Sequence, residues 1–198
     1  MKYMVEFLGH FSGVPAFTAG DARLFLSGLG ASDGYASLLL TNLVRKGELR
    51  RIKRGVYTFG QDPMLAGFAF SPSYHGLQDA LSLLELWDQE TNAVIVTPLR
   101  VRTGMKEMLG GKVMIRRIDR RLFFGFDSLR YFDYWLQVSD VEKTLIDFVY
   151  FREPLQDAVL AGMREKIDKK KLDAYLKRCP GWVRRRVRSV LAVHGKRL

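Results

Sequence analysis

The sequence has little of what stabilises secreted proteins or spans a membrane. Among its 198 residues there is one cysteine, Cys179, so neither an internal disulfide nor a cysteine-based zinc site can form. No run approaches the ~20 apolar residues of a membrane-spanning helix, and the amino-terminal residues lack the apolar segment of a signal peptide. We therefore expect a soluble, cytoplasmic protein without membrane contact.

Metal-binding and phosphate-binding motifs are also missing. The chain has three histidines, no HExxH motif and no aspartate cluster with ligand spacing, so we expect neither a metal site nor a cofactor. The glycine-containing stretch 104–111 lacks the Gly-Lys-Ser/Thr ending of a phosphate-binding loop, and its glycines predict a turn.

Basic residues, by contrast, are in excess. There are 32 basic and 21 acidic residues, and the apolar fraction of 47% is enough to bury a core. Residues 139–198 carry 15 basic and 8 acidic residues and residues 1–62 carry 8 and 5, whereas the middle is nearly neutral. This distribution favours an anionic partner, although surface charge for solubility is the alternative.

Residues 32–46 are predicted to form a helix with one apolar and one polar face. Ala36, Leu39, Leu40, Leu43 and Val44 recur at helical spacing, Ser32 stands at the N-cap position and Gly47 at the expected stop. The opposite face and its flanks carry side chains that can contact nucleic acid: Tyr35, Ser37, Leu38, Thr41, Asn42, Arg45 and Lys46.

A basic hairpin is predicted directly after this helix. The β-rich runs 49–52 and 56–59 meet at Lys53-Arg54-Gly55, where the glycine permits a tight turn. Arg50 and Arg51 add to its charge, and six basic residues and one acidic residue lie between Arg45 and Arg54. An ordinary hairpin with a solvated charged face is the alternative interpretation.

Two further helices are predicted before residue 32, one over 2–11 and one that Thr18 and Asp21 cap. The order helix, helix, turn, helix, hairpin is that of a winged helix-turn-helix, which places a helix in the major groove and the wing along phosphates. We therefore predict an α+β fold: a winged helix-turn-helix DNA-binding domain over 1–62, and a mixed α/β domain over 63–198 that ends in a helical segment.

The second domain is predicted to alternate helices and strands. A helix over 63–69 is followed by a longer one that Ser73 caps, and the strands are 92–97, 112–118, 122–126 and 131–138, with a turn at Asp127-Ser128. Ser139 and Glu142 read as a capping box, and helices follow over 154–166, 168–178 and 181–194. The last is amphipathic and basic, with Arg184, Arg185 and Arg188 as further DNA-contacting candidates.

Catalytic chemistry has few candidates. His75, Glu142, Lys143 and Asp147 are the residues that a nucleic-acid-processing enzyme could use. Structural roles compete with this: His75 fits a surface or capping position, Glu142 the capping box, and Lys143 and Asp147 are i, i+4 helix neighbours.

Three stretches resemble the AbiEi-type antitoxins of type IV toxin–antitoxin systems: the wing over 49–59, the helix entry 71–74 with Ala80-Leu81, and 138–147. The resemblance implies a non-enzymatic transcriptional regulator that binds operator DNA, represses its own operon and opposes a nucleotidyltransferase-like toxin encoded beside it. Arg50, Arg51, Lys53 and Arg54 match the basic wing of that family.

Three hypotheses stay open at this point. The first is a sequence-specific DNA-binding repressor, and the second is the enzyme described above. The third is a solitary regulator whose C-terminal domain is a protein-binding surface.

Overall fold

The computed structural model describes residues 2–193, and its mixture of helices and sheets confirms the predicted α+β class. The chain divides into two compact units. Unit 1 consists of the residues up to Ser71 together with Lys106–Val113, and unit 2 of Pro72–Met105 and the residues from Met114 onward. Unit 1 therefore continues beyond the boundary predicted at residue 62.

Unit 1 begins with three helices and a small sheet. In chain order the elements are α1 (Met4–Phe11), β1 (Phe17–Thr18), α2 (Ala19–Gly28), α3 (Asp33–Arg45), β2 (Arg50–Lys53) and β3 (Val56–Thr58). The strands are antiparallel in the order β1-β3-β2. A 3-10 turn, Pro63–Leu65, and the short helix α4 (Ala66–Ala69) follow.

Aromatic side chains fill the core of unit 1. Phe7 and Phe11 from α1 pack on Phe17 of β1 with ring centroids 5.8 and 4.3 Å apart. The buried face of α3 completes this core. Thr18 caps α2 as predicted, since its hydroxyl accepts from the Asp21 N–H and the Asp21 carboxylate accepts from the Thr18 N–H. The order of helices and the hairpin are as predicted, and β1 is an addition.

Unit 2 contains four strands of a six-stranded sheet completely and the strands β6 and β7 in part, because residues 106–113 belong to unit 1; the strand order is β6-β7-β5-β4-β9-β8. Its strands are β4 (Tyr74–His75), β5 (Ala93–Thr97), β6 (Gly104–Met108), β7 (Gly111–Arg117), β8 (Phe126–Tyr131) and β9 (Tyr134–Ser139). Its helices are α5 (Leu77–Leu83), α6 (Val141–Phe151), α7 (Asp157–Lys166), α8 (Lys169–Arg178) and α9 (Gly181–Val193). Seven consecutive residues of α6 are buried, so this helix lies at the centre of the unit.

Several predicted elements of unit 2 were wrong. Ser73 does not cap a helix: Tyr74 and His75 form β4, and α5 starts after Gly76 because β4 is held by pairing with β5 and β9. The predicted turn over 104–111 contains strand β6, and only Leu109-Gly110 makes the reversal.

The predicted strands 122–126 and 131–138 were also misplaced. A 3-10 turn, Arg120–Leu122, comes first, and Asp127 and Ser128 lie inside β8 instead of forming a turn. The chain reverses at Phe132-Asp133, where Phe132 has a φ of +49°. The turn contains no glycine, so the sequence carried no signal for it.

Candidate nucleic-acid interface

The helix α3 forms as the sequence predicts. Ser32 has the extended conformation of an N-cap, although its hydroxyl makes no capping hydrogen bond, and Gly47 takes a φ of +73° just beyond the C-cap. The apolar face is buried in the core of unit 1, through Ala36, Leu39, Leu40 and Leu43. Burial of this face fixes which side of the helix is presented outward.

The opposite face of α3 is open. Ser37, Thr41 and Arg45 are exposed, and Leu38 has 55% of its surface accessible. The Thr41 hydroxyl donates to the Ser37 carbonyl at 2.8 Å, and the Arg45 guanidinium donates to the Asn42 side-chain oxygen at 3.2 Å. Asn42 itself is half-buried. The face thus combines an amide and a guanidinium donor with an apolar tip, the side-chain types that read base edges and thymine methyl groups.

Tyr35 connects α3 to the start of the chain. Its hydroxyl accepts a hydrogen bond from the Tyr3 N–H at 3.2 Å, and the two rings meet edge to face with centroids 5.4 Å apart. Sequence periodicity missed this pairing because it joins residues far apart in the chain. The contact positions the first turn of α3 against α1.

The hairpin follows α3 after a short turn. Strands β2 and β3 pair antiparallel with a register shift at Ile52, which is buried, and Gly55 reverses the chain with a φ of +77°. The side chains of Arg51 and Arg54 are exposed. The predicted basic tip is therefore present and accessible.

The remaining cations of this hairpin are partly engaged. Arg50 and Lys53 are half-buried, and the Lys53 ammonium lies 5.0 Å from the centroid of the Phe70 ring, a contact that the sequence did not indicate. Lys46, at the end of α3, lies 3.8 Å from the Glu48 carboxylate, and both side chains are largely exposed. Exposed pairs of this kind contribute little, so Lys46 keeps its charge available.

In unit 2, the basic helix α9 is present. Arg185 and Arg188 are exposed and Arg184 is half-buried. The Arg188 guanidinium is 3.7 Å from the Asp173 carboxylate with both groups well exposed, so this pair is weak. The predicted last residue of the helix, His194, lies outside the described residues.

The four residues considered for catalysis are buried and have structural partners. His75 is not a surface or capping residue: its Nδ1 lies 2.7 Å from the Asp79 carboxylate, which also accepts from the Val94 N–H. Glu142 is not part of a capping box, because Asp140 is the N-cap of α6 and the Glu142 carboxylate accepts from the Asp168 N–H at 2.7 Å.

Lys143 and Asp147 are more than helix neighbours. Both side chains are completely buried and form an ion pair, and Tyr74 bridges them by accepting from the Lys143 ammonium and donating to Asp147, at 2.8 Å each. Burial lowers the pKa of Lys143 and raises that of Asp147, while the attraction between the two opposes both shifts. Because both charged side chains are completely buried and bonded to each other, they offer no access to a polymeric substrate.

Within the described range, 2–193, no group of three or more histidine, cysteine or acidic side chains is placed to hold a metal ion. In the same range, no helix combines the length and the apolar character that crossing a membrane requires.

Comparison with known proteins identifies the stretch that carries α2, α3 and the hairpin. Residues 11–60 match the model of a family described as transcriptional regulator, AbiEi antitoxin. The resemblance inferred from sequence motifs is thereby confirmed for this stretch. A search of curated proteins finds no match.

Proposed function

We propose that unit 1 is a winged helix-turn-helix that binds double-stranded DNA, and that the protein is a transcriptional repressor of its own operon. The observation that carries this proposal is the exposed polar face of α3 joined directly to a cationic hairpin, within the stretch that matches the regulator family. Operons are typical of prokaryotes, whose chromosome lies in the cytoplasm, so we expect the repressor to act there.

In this proposal α3 enters the major groove and reads bases. Asn42 and Arg45 supply donors for base edges, Thr41 and Ser37 line the same face, and Leu38 offers an apolar contact to a thymine methyl group. Each good bidentate contact contributes about 1–3 kcal/mol of discrimination between bases. Burial of the apolar face of α3 in the core fixes which of its side chains can face the groove.

The hairpin acts as the wing. Arg51 and Arg54 neutralise phosphates, with Arg50, Lys53 and Lys46 near them, and Tyr35 holds the first turn of α3 in place. Arg184, Arg185 and Arg188 of α9 provide a second cationic surface, in unit 2, for phosphates or for an acidic partner.

The family description also supports the role of antitoxin. We propose a type IV system, in which the partner is a nucleotidyltransferase-like toxin encoded beside this gene. Co-expression tests this part: the protein should restore growth to cells that express the neighbouring toxin. Failure of rescue with an intact DNA-binding activity would leave a solitary regulator.

The base-reading role of α3 is tested with Asn42→Ala. A preferred sequence is first selected from a pool of random duplexes, and affinities for that sequence and for a scrambled duplex are then measured by fluorescence anisotropy. Asn42→Ala should weaken binding to the selected duplex by about 1–3 kcal/mol and change binding to the scrambled one little.

The matched control removes a phosphate contact instead. Arg54→Gln should weaken binding to both duplexes to the same extent, whereas Arg120→Gln, an exposed position of unit 2, should weaken neither. Equal losses on both duplexes for Asn42→Ala would contradict the base-reading role.

A further inference from the structure

A cleft of about 710 Å³ lies in unit 2 where α6, α7 and α9 meet. This volume falls within the range of about 300–1,000 Å³ that small-molecule sites occupy. None of the residues that line the cleft is among those invoked above for DNA contact.

Three helices supply its walls at helical spacing. Leu145, Phe148, Val149 and Arg152 form one stripe of α6, and Trp182, Arg186, Ser189 and Val190 form one stripe of α9. Leu160 of α7 closes the third side.

The floor of the cleft is apolar. Leu145, Phe148 and Leu160 are buried core residues. Trp182 stands at the edge with 40% of its surface exposed and stacks on Tyr150, with ring centroids 6.1 Å apart and an interplanar angle of 20°. An exposed indole held in place by a neighbouring ring is suited to contact the apolar body of a ligand.

The rim is cationic. The Arg152 guanidinium lies 5.8 Å from the Trp182 ring centroid, and Arg186 is exposed on the same side of α9. Neither arginine has an ion pair with another described residue. Two acidic residues also line the cleft. Glu153 forms an ion pair with Arg116. Asp157 lies in the first turn of α7 and is itself engaged by another group.

Arg152 also occupies an unusual backbone position. It is the C-cap of α6 with a φ of +58°, a left-handed conformation that favours glycine. Glycine can therefore replace it without strain in the backbone.

From these observations we propose that the cleft binds a small amphipathic anion. Its apolar body lies against Phe148, Leu160 and Trp182, and its single acidic head group is held by the Arg152 and Arg186 guanidinium groups. The inference does not depend on DNA binding by unit 1.

The test uses two probes that share an apolar body and differ in charge, on the full chain. 8-Anilinonaphthalene-1-sulfonate carries an anionic group, and N-phenyl-1-naphthylamine is its neutral counterpart. We expect the sulfonate to bind at least about tenfold more tightly, because a charge-assisted hydrogen bond contributes about 1.5–3 kcal/mol, and dodecanoate to displace it where dodecyltrimethylammonium does not.

Variants assign the binding to this cleft. Arg152→Gly, which suits the left-handed backbone, and Arg186→Gln should each weaken binding of the sulfonate by about tenfold while leaving the neutral probe unaffected. Ser189→Trp, an exposed position on the lining, should block both probes. Arg120→Gln removes the same charge from an exposed position of unit 2 off the lining and should change neither affinity.

Circular dichroism and thermal midpoints confirm that each variant is folded. Equal affinity for the two probes, equal losses for Arg120→Gln and Arg186→Gln, or sulfonate binding that survives Ser189→Trp would each overturn the proposal. Absence of binding to the wild-type protein would overturn it as well.

Discussion

At the scale of single residues, unit 2 contains a buried ion pair of Lys143 and Asp147 with the Tyr74 hydroxyl between them. Removing charges from water is costly, and their mutual attraction repays this cost only when every polar atom is paired. Lys143 and Asp147 neutralise each other and the Tyr74 hydroxyl bonds to both, so loss of either charged partner leaves the other buried and uncompensated.

Because removal of one charged partner leaves the other buried and unpaired, Lys143→Met or Asp147→Leu alone should destabilise the protein by about 3–5 kcal/mol. The triple variant with Tyr74→Phe, which removes all three polar groups, should lose much less than either single variant. Urea unfolding followed by circular dichroism measures these differences. Losses that simply add in the triple variant would show that the groups do not act as a unit.

Tyr175 is expected to contribute to the stability of the protein in a way that depends on pH. Burial, and then a hydrogen bond from its hydroxyl to the Asp140 carboxylate at 2.8 Å, raise the pKa of Tyr175 to about 12. A group whose pKa is raised by folding stabilises the folded state below the unfolded pKa of about 10, and this stabilisation is lost as the pH rises towards the folded value.

Wild type should therefore exceed Tyr175→Phe in free energy of unfolding by about 1 kcal/mol at neutral pH, the usual contribution of one hydrogen bond. The gap should close between pH about 10 and pH about 12. Urea titrations of both proteins across that window measure it. A gap that stays constant would show that the hydroxyl does not carry the difference.

At the scale of elements, the features predicted correctly from the sequence are those that depend on residues close together in the chain. The Thr18–Asp21 capping box, the apolar stripe of α3 and the Gly55 reversal each depend on residues a few positions apart, and each formed as expected. Strand β4 did not follow from the sequence, because its two residues are extended only through pairing with β5 and β9. The Phe132 turn likewise lacks a local signal.

The Gly55 turn permits a graded test of the hairpin. Its φ is +77° and a Cβ added there would meet nothing within 4 Å, so any penalty comes from the backbone alone. Asparagine tolerates this conformation and β-branched residues do not. Gly55→Val should therefore cost about 1–2 kcal/mol and Gly55→Asn less, measured by thermal unfolding.

If the hairpin is the wing, DNA affinity should fall in the same order: wild type, then Gly55→Asn, then Gly55→Val. A Gly55→Val protein that binds DNA as wild type does would show that the turn geometry is irrelevant to binding.

At the scale of the whole molecule, the net charge of +11 is concentrated in the terminal regions. The sequence revealed this asymmetry and the basic hairpin directly. It did not reveal the cleft edged by Arg152 and Trp182, because that site depends on how three helices pack, and helix packing is not a local property.

If unit 1 binds DNA as proposed, the cations of the hairpin and α3 neutralise phosphates. The salt dependence of affinity measures this most directly, because each neutralised phosphate contributes about 0.9 to the slope of log K against log salt concentration. If about six phosphates are contacted, the wild-type slope should be near −5. The double variant Arg51→Gln/Arg54→Gln should reduce the magnitude of that slope by about 2, and Arg120→Gln should leave it unchanged. A slope near zero, or one that the hairpin variant does not change, would contradict the account.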